Sequence, residues 1–161
     1  MSGKISCGKE KSVEWYTPDW IFQRLCIDFD LDPASPHDFE TPVPATKKLT
    51  KYDDGLIVNW HGRVWMNPPY SRETPLWMRK FIDHDHGICL VFSRTDTKWF
   101  QEALKKADAT LFLSGRIDFI PGHENQHKKS RAGAGTAMFA FGDDCKNALK
   151  NLSDLGFYLC P

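Results

Sequence analysis

The sequence has no apolar run long enough to cross a membrane, no net charge and no cysteine pair with metal-ligand spacing. A membrane protein needs about 18 consecutive apolar residues, and a secreted precursor needs an apolar segment near its first methionine. The five cysteines are scattered and odd in number, which argues against a disulfide framework and a zinc site. The six histidines show no HExxH pattern. We therefore expect a soluble cytoplasmic protein with reduced thiols, no membrane partner and no bound metal.

Charge alone does not decide whether the protein binds nucleic acid. Lys plus Arg and Asp plus Glu both total 21, whereas nucleic-acid-binding proteins usually carry a basic excess. The stretch from Arg116 to Arg131 nevertheless contains four basic residues and only two acidic ones. This local excess is compatible with phosphate binding and equally with an ordinary solvated loop.

The chain has the length and composition of one folded domain. Its 161 residues are 41% hydrophobic and 13% aromatic, and no internal repeat is visible. Short apolar runs alternate with amphipathic stretches, which is typical of layered α/β domains. We predict a flexible segment at 1–12 and a domain at 13–161 built on a doubly wound, mostly parallel sheet.

Local signals predict most of the elements of this domain. Thr17-Pro18 and Thr74-Pro75 each combine a helix cap with a proline suited to the first turn. Residues 36–55 contain three prolines and no clear periodicity, so they are predicted to be mostly loop. Apolar runs predict strands at 27–31, 63–66, 87–92, 110–113, 117–120, 136–141 and 157–159, and amphipathic spacing predicts helices at 98–106 and 143–152. The continuous run at 87–92 is typical of a central parallel strand buried on both faces. Leu76 and Trp77 have the helical spacing of residues that face the sheet, and Trp77 is interpreted as a packing residue.

The sharpest chemical feature is Asn67-Pro68-Pro69-Tyr70, directly after a predicted strand. In doubly wound sheets, ligands bind beyond the carboxyl ends of the strands. An amino group on an aromatic ring is a poor nucleophile, and two acceptors aimed at its hydrogens would free its lone pair. The Asn67 side-chain oxygen and the Pro68 carbonyl suit this role on a backbone that the prolines stiffen, and Tyr70 offers a flat face for a flipped base. A Pro-Pro turn with Tyr70 covering the core explains the same four residues, so both readings stay open at this point.

Other segments decide between these readings by resemblance. Asn67 to Tyr70 resembles motif IV of the amino-methyltransferases. Asp32-Pro33-Ala34-Ser35 resembles the cofactor motif of N6-adenine methyltransferases, and the segment 15–18 resembles the one that precedes it. Segments similar to the small adenine methyltransferases of phages and prophages are 53–56, 94–100 and 115–119. The resemblance covers residues 13–142 and implies a Rossmann-like fold, S-adenosylmethionine as cofactor and DNA as partner.

The resemblance also implies roles for individual residues. Asp32 would meet the methionine ammonium group of the cofactor or otherwise shape its pocket, and a strand-ending turn stays an alternative for this residue. Asp54, with Asp53, would accept from the adenine amino group of the cofactor, although a solvated turn before Gly55 stays an alternative for this pair. The implied cofactor-binding residues are Trp15, Tyr16, Thr17, Pro18, Asp32, Pro33, Ala34, Ser35, Asp53 and Asp54. The implied catalytic residues are Asn67, Pro68, Pro69 and Tyr70.

DNA contacts are predicted from position after the strands and from charge. The predicted DNA-binding residues are Ser71, Arg94, Arg116, Lys128, Lys129 and Arg131. For Arg94 a surface position beside a helix cap at Thr95 or Asp96 stays open.

The sequence departs from the common pattern of methyltransferases. Pro36-His37-Asp38 stands where many of them carry a glycine-rich FxGxG loop, and no strand with a ribose-binding acid is identifiable between Phe39 and Lys51. Either Asp38 or Glu40 could take the role of that acid. We predict methyl transfer from S-adenosylmethionine to the exocyclic N6 of adenine in DNA, with base flipping and with high or low sequence specificity. The alternatives are the same chemistry on RNA or a protein amide, and a non-catalytic DNA-binding accessory protein on a methyltransferase scaffold.

Overall fold

The computed structural model describes residues 15–121 and 132–161. The predicted N-terminal segment and three predicted DNA contacts, Lys128, Lys129 and Arg131, lie outside the described residues. The strands are β1 (Trp15–Tyr16), β2 (Phe29–Asp32), β3 (Ala45–Lys48), β4 (Val64–Met66), β5 (Gly87–Phe92), β6 (Ala109–Leu113), β7 (Ile120–Pro121), β8 (Thr136–Phe141) and β9 (Gly156–Leu159). The helices are α1 (Asp19–Leu25), α2 (Thr74–His84), α3 (Lys98–Lys106) and α4 (Asp143–Lys150), with a 3-10 turn at Ser153–Leu155.

The main sheet is mixed, so the predicted mostly parallel sheet is wrong. Its seven strands follow the order β3-β2-β4-β5-β8-β6-β9. The pairs among β3, β2, β4 and β5 are parallel, whereas β5 with β8, β8 with β6 and β6 with β9 are antiparallel. A separate two-stranded pairing joins β1 and β7 in antiparallel orientation.

The reason lies in how the second half of the chain is interleaved. The crossover through α3 does give β5 and β6 the same direction, and the crossover through α4 does the same for β8 and β9. However, β8 inserts between β5 and β6, and β6 lies between β8 and β9. Strands β5, β6, β8 and β9 therefore each hydrogen-bond to a neighbour that runs in the opposite direction. The two strands of each of these two strand–helix–strand units are still parallel to each other, as helical crossovers favour, but they are not adjacent.

Two apolar layers cover the sheet. One contains the buried faces of α1 and α4, and the other contains those of α2 and α3. Strand β5 is the fourth of seven, and alternate residues point into the two layers: Ile88 and Leu90 into the first, Cys89 and Val91 into the second. The prediction of a central strand buried on both faces is confirmed. In the part of the chain that the structure describes, no helix has the length and hydropathy needed to span a membrane.

The predicted helices are present, but several cap and face assignments are wrong. Pro18 rather than Thr17 is the N-cap of α1, and Glu73 rather than Thr74 is that of α2. At α3 the Thr97 hydroxyl accepts from the Phe100 amide at 3.4 Å, so neither Thr95 nor Asp96 is the cap. Leu76, expected to face the sheet, is 59% exposed.

Two strands differ from the predictions near the middle of the chain. Residues 45–48 form β3, an edge strand within the segment predicted to be mostly loop. The predicted strand at 117–120 is reduced to its end, where β7 pairs with β1. Ile117 and Phe119 are instead buried in the apolar layer of α1 and α4.

Candidate active site

A cavity of about 470 Å³ opens beyond the carboxyl ends of β2, β3 and β4. This is the edge where doubly wound sheets bind ligands, and the volume is within the range of small-molecule sites. The predicted site residues that line it are Trp15, Tyr16, Thr17, Asp32, Pro33, Ala34, Ser35, Asp54, Asn67, Pro68 and Pro69. Three other predicted residues, Pro18, Asp53 and Tyr70, are not part of its lining.

The Asn67 side chain is held in one orientation at the end of β4. Its Nδ2 donates to the Trp15 carbonyl at 2.7 Å and to the Thr17 hydroxyl at 3.2 Å. Its Oδ1 accepts from the Tyr70 hydroxyl at 2.8 Å. Because the Trp15 carbonyl can only accept, the amide nitrogen must face Trp15 and the oxygen must face Tyr70. This network joins the segment at 15–17 to the Asn-Pro-Pro-Tyr corner, about fifty residues later in the chain.

The two proline carbonyls of this corner differ. The Pro69 carbonyl accepts from the Ser71 amide at 3.0 Å and from the Thr74 hydroxyl at 3.1 Å, which fixes the start of α2. No donor among the described residues hydrogen-bonds to the Pro68 carbonyl. The acceptor that the sequence assigned to an incoming amino group therefore remains available.

Tyr70 is more enclosed than predicted. Its ring stacks on Phe92, with centroids 4.0 Å apart and planes inclined by 22°, and Arg94 lies 5.9 Å from the Phe92 ring on the same strand end. Burial raises the pKa of the Tyr70 hydroxyl above its ordinary value, so this group stays a neutral donor to Asn67. One face of the Tyr70 ring is thus covered by protein before any base arrives.

Asp32 is a buried carboxyl in the cavity wall, 4% exposed. Its Oδ1 accepts from the Ala34 amide at 3.1 Å. Burial raises the pKa of Asp32 to about 7, although the Ala34 hydrogen bond and the charge of Lys48 act in the opposite direction. A buried carboxyl that is only partly compensated suits a cationic group of a ligand.

Asp53 and Asp54 are neighbours in sequence but take different positions relative to the cavity. Asp53 accepts from the Thr50 amide at 2.8 Å and hydroxyl at 3.1 Å, and these bonds lower its pKa and close a turn outside the cavity. Asp54 lines the cavity with a φ of 49°, and its Oδ1 accepts from the Leu56 amide at 3.2 Å. The solvated-turn alternative thus fits Asp53, and a wall position fits Asp54.

The comparisons with known proteins give one family. Residues 5–154 match the family described as DNA N-6-adenine-methyltransferase (Dam). The chain belongs to this family.

Two relatives of this family member come from bacteriophages. A DNA N-6-adenine-methyltransferase of Haemophilus phage HP1 is 30% identical over 130 residues, which cover 74% of this chain and 73% of that protein. A DNA N-6-adenine-methyltransferase of Escherichia phage T1 is 26% identical over 133 residues, 67% of this chain and 54% of that protein. The match thus spans about half the length of the phage T1 protein. No solved structure matches the chain.

Sequence reasoning missed several residues in the cavity wall of this adenine-methyltransferase family member. They are Pro36, Thr41, Val43, Thr50, Lys51, Gly55, Leu56, Ile57, Trp65, Glu73 and Trp77. Among the described residues, Thr41 Oγ1 and Trp77 Nε1 are buried polar atoms without a hydrogen-bond partner. Most of these residues lie in segments without periodicity, and Trp77 has the helical spacing of a packing residue. Neither Asp38 nor Glu40, suggested as a ribose-binding acid, lines the cavity.

The predicted DNA contacts within the described residues lie outside the cavity. Ser71, Arg94 and Arg116 are exposed. Arg94 follows β5 and Arg116 follows β6, so the shared direction of these strands places both at the same sheet edge as the cavity.

A polar cluster lies on the side of the sheet opposite the cavity, near the amino ends of β4 and β5. The Asp144 carboxylate accepts from Arg63 Nε at 2.8 Å and lies 3.0 Å from His86 Nε2. Together with Cys145, these His and Asp side chains place possible metal-ligand atoms within 4.8 Å of one another. Because Arg63 already neutralises the carboxylate, the cluster is best described as an ion-pair network that joins the start of β4, the start of β5 and α4.

Proposed function

We propose that this protein transfers the methyl group of S-adenosylmethionine to the exocyclic N6 of adenine in DNA, on a Rossmann-like methyltransferase fold. The observation that carries the proposal is the fixed Asn67 amide beside a cavity at the carboxyl ends of β2, β3 and β4. Family membership supports it, as do the names of the two phage relatives. Their source also supports a phage or prophage origin and action inside a bacterial host cell.

The cavity fits the cofactor in its polar as well as its apolar parts. Asp32 offers a buried carboxyl for the methionine ammonium group, and the backbone of Ala34 and Ser35 allows close approach. Asp54 lies in the wall where a carboxylate would accept from the adenine amino group. S-adenosylmethionine supplies an electrophilic methyl group, so the protein needs positioning more than a strong base.

The acceptor nitrogen would be held by two oxygens of the Asn-Pro-Pro-Tyr corner. Asn67 Oδ1 accepts one hydrogen bond from Tyr70 and retains a second lone pair. No described residue donates a hydrogen bond to the Pro68 carbonyl, so both lone pairs of that oxygen are available. Hydrogen bonds from the adenine amino group to these oxygens would draw its nitrogen out of resonance with the ring. Because this geometry requires the target base to leave the duplex stack, base flipping is part of the proposal.

Basic side chains at the same sheet edge would bind the DNA backbone. The basic residues Arg94 and Arg116 and the hydroxyl residue Ser71 are exposed there. The proposed set also includes Lys128, Lys129 and Arg131, which lie outside the described residues. Phosphate contacts of this kind make affinity depend on salt and carry little sequence information.

The test is nucleoside mass spectrometry of plasmid DNA from cells that express the protein or its Asn67→Ala variant. We expect N6-methyladenine with the wild type and almost none with Asn67→Ala. The matched control is Asn59→Ala, because Asn59 is exposed and lies outside the cavity. Equal methylation by the wild type and Asn67→Ala would overturn the assigned role. In a parallel assay with labelled cofactor, transfer to RNA or protein in preference to DNA would overturn the substrate class.

A further inference from the structure

One wall of the cavity is a short segment without helix or strand, Asp54 to Val58, whose carbonyls are held by side chains. Within it, the Ile57 and Val58 amides donate to the Asp54 carbonyl at 2.9 and 3.1 Å. The carbonyls of Gly55, Leu56 and Val58 accept instead from two side chains outside the segment, one close in sequence and one on a helix more than twenty residues later. The shape of this wall therefore depends on those side chains.

The two side chains are Lys80 on α2 and Trp60. Lys80 Nζ donates to the Leu56 carbonyl at 2.8 Å and to the Val58 carbonyl at 2.5 Å, and it lies 5.2 Å from the centre of the Trp60 ring. Trp60 Nε1 donates to the Gly55 carbonyl at 2.8 Å. Trp60 also packs on Trp77, with ring centres 6.3 Å apart. We call this arrangement the Lys80–Trp60 clip.

The wall is seated tightly against the residue that follows Asp32. A Cβ atom added at Gly55 would lie 2.2 Å from the Pro33 carbonyl oxygen and 2.7 Å from the Trp77 ring. Asp54, the next residue towards the amino terminus, has the left-handed φ of 49°, which few non-glycine residues adopt. A strained residue and a close backbone contact persist only when neighbouring interactions hold them, and here the clip supplies those interactions.

We propose that Lys80 is a positioning residue that holds the Asp54–Val58 wall in its cofactor-binding shape through the clip. Lys80 does not line the cavity itself, so its effect would pass through Asp54, Gly55, Leu56 and Ile57, which do. The inference rests on the proposed function in one respect, namely that the ligand of this cavity is the methyl donor. Desolvation lowers the pKa of Lys80 while the nearby Asp54 charge raises it, as expected of a cation enclosed by this loop.

The inference is tested with Lys80→Met, which keeps the length of the side chain and removes its donors. Titration calorimetry should show about tenfold weaker binding of S-adenosylhomocysteine, equivalent to about 1.4 kcal/mol. The kcat at saturating cofactor and DNA should stay at the wild-type value, because Lys80 touches neither reacting group. Arg79→Met is the matched control, since Arg79 lies on the same helix with a 68% exposed side chain and should bind the ligand as the wild type does.

A second measurement is independent of the cofactor. Without ligand, the amides of Leu56, Ile57 and Val58 should exchange with deuterium faster in Lys80→Met than in the wild type, and Lys80→Arg should restore part of the protection. If Lys80→Met does not fold, Trp60→Phe removes the donor to Gly55 while keeping a ring for Lys80, and it should give a smaller change in the same direction.

The outcomes separate the two proposals. Wild-type affinity together with wild-type exchange in Lys80→Met would overturn the positioning role. Loss of kcat with unchanged ligand affinity would overturn it as well. If the wild type binds no S-adenosylhomocysteine, the proposed function fails, whereas the exchange rates still show whether the clip holds the wall.

Discussion

Replacing Asp32 by Asn should change the pH dependence of stability of the ligand-free protein. Burial raises the pKa of Asp32 from 3.8 to about 7 in the folded protein, because the charged form is poorly solvated in the cavity wall. A folded state with a raised pKa binds the proton more tightly than the unfolded state. The stabilising effect of the neutral acid is therefore complete below pH 3.8 and is lost as the pH rises through about 7.

The size of this effect follows from the two pKa values. The interval between 3.8 and about 7 corresponds to about 4 kcal/mol of unfolding free energy at 1.36 kcal/mol per pH unit. An Asn side chain retains an oxygen that can accept from the Ala34 amide, but it does not titrate. The wild type should therefore lose up to about 4 kcal/mol relative to Asp32→Asn as the pH rises from 3.8 to about 7, with no further loss above that.

Urea unfolding of the ligand-free proteins at several pH values between about 4 and 8 measures this difference. Asp28→Asn is the control, because Asp28 is exposed and should give the wild-type profile. Ligand binding should show the complementary behaviour: affinity for S-adenosylhomocysteine rises with pH through about 7 in the wild type and is weak and flat in Asp32→Asn. Parallel unfolding profiles of the wild type and Asp32→Asn would refute the reasoning.

Two further predictions concern the Asn-Pro-Pro-Tyr corner and the opposite edge of the sheet. Tyr70→Phe keeps the stack on Phe92 but removes the donor to Asn67 Oδ1, so kcat should fall about fivefold, near 1 kcal/mol, while calorimetry shows unchanged ligand affinity. An unchanged kcat would show that the hydroxyl does not orient Asn67. Although partial burial raises the pKa of Asp144, hydrogen bonds from His86, the Cys145 amide and Arg63 outweigh this and lower it to about 2. Asp144→Asn should therefore lose about 1 kcal/mol of stability at neutral pH, a value reduced because the side chain is 38% exposed. This difference should disappear as the pH falls below 3.8 towards 2 in acid-unfolding curves, and a difference that persists at pH 2 would contradict the assignment.

Much of the fold could be predicted because its signals are local. The bounds of β5, β8 and α3 follow from apolar runs and helical spacing and agree with the structure. Strand β3 could not be found, because at the sheet edge its Lys47 and Lys48 need no apolar partners. The strand order could not be predicted either, since the insertion of β8 between β5 and β6 is a long-range choice that leaves both helical crossovers unchanged.

The candidate site, like the fold, could be predicted from the sequence only in part. Asn67 could be identified because it follows a strand, and Asp32, the last residue of β2, through the resemblance of its segment to a cofactor motif. The structure brings both to one cavity. The hydrogen bonds from Asn67 to Trp15 and Thr17 join segments far apart in sequence, so no local pattern predicts them. Trp77 was read as a packing residue because helical spacing does not show that a buried side chain also borders a cavity.

Different parts of the chain form the cavity and complete the mixed sheet. Every described residue that lines the cavity lies between Trp15 and Trp77, whereas β6, β8 and β9 all come after residue 108. Without β8, strand β5 would present an unpaired and wholly apolar edge to water, the kind of edge that promotes aggregation. Among the described residues, none after Trp77 lines the cavity, and the later strand β8 instead supplies the hydrogen-bonding partner that β5 needs along its whole length.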